Sequence, residues 1–206
     1  MKDLIGIAGG IGSGKSVVSR MLRCRGYAVY DCDYEARRLM NECGHIRKAL
    51  VGRWGEEACP AGGNPDRRLI SARVFGDEKE RLWLNGLVHA EVRADLKRWI
   101  ERCSADAGIP APLFVESAIM GSSAIAASCR EIWEVTASET ERIRRVGFRS
   151  GLAPEETRSR MESQNRESGL LRERGYMVRV LDNDGNLSLM LQIDALLKQE
   201  RDNYQQ

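Results

Sequence analysis

The sequence lacks the features that mark zinc scaffolds, disulfide frameworks, membrane spans and general polyanion binders. Its 206 residues carry a net charge of only +2, and no apolar run is long enough to span a bilayer. No two of its cysteines form a C-x-x-C pair, so their spacing indicates neither a zinc site nor a disulfide framework. The chain starts with a strand pattern and shows no signal peptide, which predicts a cytoplasmic protein without a nucleic-acid or membrane partner. Nothing in the sequence indicates an oligomeric state.

What the sequence does contain is a complete phosphate-binding loop. Residues 9–16 read Gly-Gly-Ile-Gly-Ser-Gly-Lys-Ser and match G-x-x-x-x-G-K-[ST] between an apolar run and a helical pattern. Backbone N–H groups of such a loop, together with the helix N-terminus, bind phosphate oxygens. The alternative, a glycine-rich turn without a ligand, would require both flanking patterns to be accidental. The expected nucleotide-binding residues are Gly10, Ile11, Gly12, Ser13, Gly14, Lys15, Ser16 and Val17.

Two side chains of this loop have specific expected tasks. Lys15 is expected to reach the β- and γ-phosphates of ATP, and the Ser16 hydroxyl is expected to hold Mg²⁺.

Five short apolar runs separated by helical patterns predict an α/β fold with a parallel sheet covered on both faces. The runs are residues 4–8, 28–30, 113–116, 132–136 and 178–181. We interpret the chain as one domain whose core covers residues 1–33, 110–137 and 176–206. A helical acceptor lobe is predicted at residues 34–109, and a mobile lid at residues 138–175, where charges are dense and apolar residues sparse.

Two aspartates, Asp31 and Asp33, follow the second apolar run. In open α/β sheets ligands lie beyond the carboxyl ends of the strands, and a carboxylate there can accept the proton of an attacking hydroxyl. Either aspartate could instead cap the helix that follows. The residues alone leave the choice between them open.

Three arginines of the predicted lid, Arg142, Arg145 and Arg149, are spaced by three and four residues and share a helical face. Such a face can neutralise the charge that develops during phosphoryl transfer. A solvated charged helix has the same pattern, and the sequence favours neither interpretation.

Taken in order, the motifs resemble those of the dephospho-CoA kinase family over nearly the whole length. After the phosphate loop the chain has Asp-x-Asp-x-x-Ala-Arg, Asp-Arg, Val-Phe, Trp-Leu-Asn-x-Leu-x-His, Arg-Val-x-x-Arg-x-Gly, Arg-x-x-x-Gln and Asp-Asn-x-Gly. These lie at residues 31–37, 66–67, 74–75, 83–89, 145–151, 160–164 and 182–185. Each block after the loop is weak alone, and their conjunction is specific.

The resemblance implies a P-loop NTPase-type kinase that uses ATP and Mg²⁺ to phosphorylate the ribose 3′-hydroxyl of dephospho-CoA, the last step of coenzyme A synthesis. It implies that Asp33 is the base, and that Arg145 contacts the ATP phosphates beside Lys15, with Arg149 as a second arginine on that face. Near the acceptor it implies Arg37 and His89. A histidine satisfied within the lobe is the alternative for His89.

One segment departs from the family pattern. Where the family resembles Asp-x-Pro-Leu-Leu-Phe-Glu, residues 116–122 read Glu-Ser-Ala-Ile-Met-Gly-Ser. We expect Glu116 to orient a Mg²⁺-bound water from one methylene further out. The altered segment supports one rival, another small-molecule or nucleoside kinase on this scaffold. A second rival is a nucleotide-binding module without kinase activity, and Asp33 argues against it.

Overall fold

The five apolar runs form the strands of one parallel sheet, which confirms the predicted fold class. The computed structural model describes the backbone of residues 1–204, and the side chains in that range except those at positions 163, 165, 201, 203 and 204. The strands are β1 (Leu4–Ala8), β2 (Val29–Asp31), β3 (Leu113–Glu116), β4 (Glu131–Thr136) and β5 (Val178–Asp182). Their order across the sheet is β2-β3-β1-β4-β5, and every neighbouring pair is parallel.

Helices connect the strands throughout the described part of the chain. The α-helices are α1 (Lys15–Cys24), α2 (Cys32–Glu42), α3 (Gly44–Trp54), α4 (Arg67–Val74), α5 (Glu78–Ala105), α6 (Glu139–Ser150), α7 (Pro154–Glu173) and α8 (Leu189–Tyr204). Short 3₁₀ turns occur at Glu56–Ala58, Pro60–Gly62 and Ala124–Ser128. None of the helices described is long and apolar enough to cross a membrane.

The chain divides into two compact units. The first comprises Met1–Asp31 and Ile100–Gln206 and contains the sheet with α1, α6, α7 and α8. The second, Cys32–Trp99, is helical and contains α2, α3, α4 and most of α5.

The central position of β1 explains its uninterrupted apolar sequence. All five residues of Leu4–Ala8 are buried, because β1 pairs with β3 on one side and β4 on the other while helices cover both faces. Edge-on contacts link Phe114 to Tyr27 and to Trp133, with ring centroids 5.6 and 5.1 Å apart. Since all strands run in one direction, the phosphate loop, Asp31 and Glu116 follow or end strands at the same edge of the sheet.

The second unit is held together by polar contacts as well as by its apolar core. Arg38 of α2 donates to Glu35, to Glu42 and to Asp95 of α5, with distances of 2.5, 3.1 and 3.0 Å. These carboxylates raise the pKa of the Arg38 guanidinium, chiefly through the hydrogen bond to Glu35.

A second polar cluster in this unit is built on Glu80. Its carboxylate receives both Arg53, at 2.9 and 2.7 Å, and the indole N–H of Trp54, at 2.9 Å. Arg53 and Trp54 of α3 therefore hold this helix against the start of α5, where Glu80 lies.

Truncation of leucine side chains should distinguish buried from exposed positions in the sheet unit by their effect on stability. Leu22→Ala removes a side chain with 0% exposure and should lower the free energy of unfolding by about 2–5 kcal/mol. The matched control, Leu191→Ala, truncates a leucine that is 66% exposed and should change it by less than about 0.5 kcal/mol. Urea unfolding measures both, and equal losses would contradict this description of the core.

Candidate phosphate and phosphoryl-transfer site

The loop between β1 and α1 folds so tightly that only glycine fits at its turns. Gly9, Gly12 and Gly14 have φ values of +141°, +78° and +106°, which side-chain-bearing residues rarely adopt. A Cβ at Gly9 would lie 2.5 Å from the carbonyl oxygen of Val135, and one at Gly14 would overlap the carboxamide nitrogen of Asn183. At these glycines the backbone of the loop can therefore approach a bound ligand closely.

Most of the buried side-chain polar atoms that lack a partner among the described residues lie around this loop. Among the described side chains, four such atoms occur, and three are the Ser13 hydroxyl oxygen, Nη2 of Arg142 and Nη1 of Arg145. Buried hydrogen-bonding groups normally have partners, so a cluster of them without protein partners is typical of a ligand-binding site. A hydroxyl and two guanidinium N–H groups beside a glycine loop are suited to phosphate oxygens.

Arg142 holds the loop directly. Its Nε donates to the carbonyl oxygen of Ile11 at 2.8 Å, and burial lowers the pKa of its guanidinium, an effect that Glu139 opposes. The side-chain oxygen of Gln164, on α7, accepts a hydrogen bond from the N–H of Ile11 at 2.5 Å. The prediction of nucleotide-binding residues did not include Arg142 or Gln164, although spacing placed Arg142 on the arginine face and Gln164 ends the Arg-x-x-x-Gln block of the family resemblance.

Arg145 contacts the loop through an intermediate residue. It pairs with Glu141 at 3.2 Å and donates to the carbonyl oxygen of Asn183 at 2.6 Å. The carboxamide of Asn183 in turn donates to the carbonyl oxygen of Ser13 at 2.8 Å. Arg149, the third arginine of this helical pattern, is exposed.

The Asp-Asn-x-Gly motif also anchors the start of α6. Asp184 accepts a hydrogen bond from the N–H of Ser138 at 2.8 Å, and this bond lowers the pKa of its carboxyl group. Residues 182–185 thus link the end of β5 to the phosphate loop and to α6.

Glu116 is fixed at the carboxyl end of β3. It is 7% exposed, and one of its carboxylate oxygens accepts a hydrogen bond from the Ser19 hydroxyl at 2.6 Å. In the sheet its neighbours in register are Ile7 and Asp31. Ser19 lies one turn beyond Ser16 on α1, so both hydroxyls are on the same side of that helix.

The remaining candidate residues lie in the second unit. Helix α2 begins at Cys32, so Asp31 is the residue that precedes the helix and Asp33 lies in its first turn. Asp33 and Arg37 are both exposed, whereas the neighbouring Arg38 is committed to the network with Glu35, Glu42 and Asp95. His89 is on α5, and partial desolvation lowers the pKa of its imidazole, with the charge of Arg93 adding to the shift.

Comparison with known proteins decides what kind of site this is. The family model for dephospho-CoA kinase matches residues 3–188. The chain belongs to the dephospho-CoA kinase family. Enzymes of this family carry out the final step of coenzyme A synthesis, and the chain is therefore a kinase that uses ATP.

Individual relatives of the family agree with this assignment over most of the chain. The dephospho-CoA kinase of Porphyromonas gingivalis is 40% identical over 81% of this chain and 79% of its own length. That of Methylococcus capsulatus is 34% identical over 94% of each chain. The crystal structure of TT1252 from Thermus thermophilus superposes with a TM-score of 0.74 at 33% identity, covering 96% of this chain and 97% of the other.

The departure from the family pattern at residues 116–122 has a packing role in this structure. A Cβ at Gly121 would lie 2.9 Å from the carbonyl carbon of Glu167, so only glycine allows α7 to approach this closely. The N–H and hydroxyl of Ser122 both donate to the Glu167 carboxylate, at 2.8 and 2.7 Å. Gly121 and Ser122 therefore hold α7 against the sheet unit.

Lys15→Ala should abolish kinase turnover and leave the fold intact. The Lys15 ammonium donates to the carbonyl oxygen of Gly9 at 2.5 Å, so it lies over the phosphate loop and outside the apolar core. Steady-state ADP release and circular dichroism measure the two effects. Lys198→Ala, which removes an exposed lysine of α8, is the control and should keep full activity. Turnover like that of the unmodified enzyme in Lys15→Ala would refute the assignment of this loop.

Proposed function

We propose that this chain transfers the γ-phosphoryl group of ATP to the ribose 3′-hydroxyl of dephospho-CoA, producing coenzyme A and ADP. The observation that carries the proposal is the group of unpartnered buried atoms around the glycine loop, from Ser13, Arg142 and Arg145. Family membership supports the choice of acceptor.

Binding of ATP phosphates is assigned to the loop and the two arginines that contact it. Loop N–H groups between Gly10 and Val17, apart from that of Ile11, which donates to Gln164, would hold phosphate oxygens together with the start of α1. Lys15, Arg142 and Arg145 would neutralise the charge that develops on the transferred group, and Arg149 would add to the positive potential. Because these groups are positioned before the reaction, little reorganisation accompanies it.

The donor set also suits Mg²⁺, which usually binds few protein oxygens together with phosphate and water. Among the described residues, no group of three or more His, Cys, Asp or Glu side chains is placed to hold a metal ion. Ser16 would be the direct ligand, and Glu116, held by Ser19, would bind through a water. Bound there, the metal would supply charge neutralisation at the phosphates.

Asp33 is the proposed base. Its carboxylate would take the proton of the 3′-hydroxyl as the oxygen–phosphorus bond forms and the bond between the β,γ-bridging oxygen and the γ-phosphorus breaks, with ADP leaving. Its place in the first turn of α2, two residues after the end of β2, supports this role, because ligands of open α/β sheets lie beyond the carboxyl ends of the strands. Asp31, at the end of β2, precedes the helix and would cap it.

Arg37 and His89 are assigned to the acceptor. Arg37 is exposed, and its planar guanidinium can make bidentate contacts with the pyrophosphate of dephospho-CoA. Because its pKa is lowered, His89 is neutral at pH 7 and would act by hydrogen bonding. The partner is thus a small molecule, and the use of ATP is consistent with a cytoplasmic reaction.

Asp33→Asn should lower kcat by about 10²–10⁴-fold and leave the Kd for ATP nearly unchanged, since it removes a base from the acceptor hydroxyl and no phosphate contact. Asp31→Asn is the matched comparison and should retain most activity. ADP release and calorimetric ATP binding report the two quantities. A severe loss in Asp31→Asn with little loss in Asp33→Asn would assign the base to the other aspartate.

Dephospho-CoA should be phosphorylated with a far higher kcat/KM than adenosine or AMP. Its pantetheine arm and pyrophosphate offer remote binding energy that can orient the reacting hydroxyl, so truncated acceptors should lose kcat as well as affinity. ADP release without any acceptor is the baseline. Comparable values for the three acceptors would favour the rival kinase, and no acceptor-dependent release would favour a binding module.

A further inference from the structure

The backbone of Ile11, at the tip of the phosphate loop, is held from both sides by helices remote from the loop in sequence. Its N–H donates to the side-chain oxygen of Gln164 at 2.5 Å, and its carbonyl oxygen accepts from Nε of Arg142 at 2.8 Å. The fit is tight, because a Cβ at Gly12 would lie 2.7 Å from the carbonyl oxygen of Arg142. The loop tip is therefore braced while the nucleotide-facing groups remain unpartnered.

The position of Gln164 depends on how α7 is seated. Ser168 and Arg172 follow Gln164 at intervals of four, so the three side chains share one face of α7. Both Ser168 and Arg172 donate to the carboxylate of Glu134, Arg172 at 2.5 Å.

Glu134 is 2% exposed, and it pairs in register with Ala8, the last residue before the loop. A buried carboxylate with two donors from one helix fixes that helix strongly, since an unpaired charge there is costly.

A second set of contacts, made by Gly121 and Ser122, also holds α7. Ser122 binds the Glu167 carboxylate through its N–H and hydroxyl, and Arg174 donates to the carbonyl oxygen of Gly121 at 2.9 Å. Glu134 of β4 and the Gly121–Ser122 turn, which follows β3, thus both contact α7, which leaves its register little freedom.

We propose that Gln164 is a positioning residue for the phosphate loop, and that Glu134 sets its position by seating α7. The loop is then ordered before nucleotide arrives, which lowers the ordering cost of binding. The inference concerns loop geometry in the nucleotide-free protein; its affinity readout rests on ATP use and not on the identity of the acceptor.

The first test replaces Gln164 with an apolar residue of similar size. Gln164→Leu should speed amide exchange of Ile11 by about five-fold in the nucleotide-free protein and weaken the Kd for ATP by a similar factor, as expected for one lost hydrogen bond. At saturating ATP, kcat should change much less. Glu162→Leu, at an exposed position of the same helix, is the control and should change neither quantity. Unchanged Ile11 exchange in Gln164→Leu overturns the proposal.

The second test asks whether Glu134 acts through Gln164. Glu134→Gln should reproduce the ATP-affinity loss, and the double variant Glu134→Gln/Gln164→Leu should be no weaker than Gln164→Leu alone. Ser168→Ala, which removes one donor to Glu134, provides the same comparison if Glu134→Gln does not fold. Additive losses would overturn the role of Glu134. Exchange and ATP affinity answer these questions even if dephospho-CoA is not the acceptor, so the two proposals fail separately.

Discussion

The tight turn from β1 into α1 is the constraint on which the sheet unit's function depends. Gly9, Gly12 and Gly14 adopt backbone angles that other residues rarely reach, and the neighbouring groups leave no room for a Cβ. This close approach lets Arg142, Gln164 and Asn183 contact the backbone of the loop from three separate parts of the chain. A larger side chain at these turns would therefore disturb the loop and the surrounding contacts together.

Electrostatic organisation of the site follows from the same packing. Arg142 and Arg145 use some of their N–H groups to bind carbonyl oxygens of Ile11 and Asn183, and each keeps one buried N–H without a partner. The structural contacts hold the guanidinium planes in place, so the remaining groups point to a fixed position. Such preorganised charge is more effective in phosphoryl transfer than exposed arginines, whose interactions water screens.

The mobile lid at residues 138–175 remains a prediction, and the contacts of α6 and α7 describe how this segment packs. Charge density and few apolar residues suggested a segment that projects and moves. In the structure, Val146, Thr157, Met161 and Leu171 are buried, and polar side chains make specific contacts to the loop and to β4. Polar anchoring of this kind is hard to see in a sequence, because a buried Glu134 and an exposed glutamate look the same there.

Sequence alone determined the parallel sheet, the phosphate loop and the family, because each depends on local patterns: buried apolar runs, glycine spacing and ordered motifs. The bounds of β1 and β3 were predicted to the residue, those of β4 and β5 to within one residue at one end, and those of β2 to within one residue at both ends. Only the tertiary structure decided that Arg142 and Gln164 hydrogen-bond to the backbone of Ile11, and that Gly121 and Ser122 pack against α7. Those contacts join residues about 45 to 153 positions apart, and no local periodicity records which distant backbone group a side chain will meet.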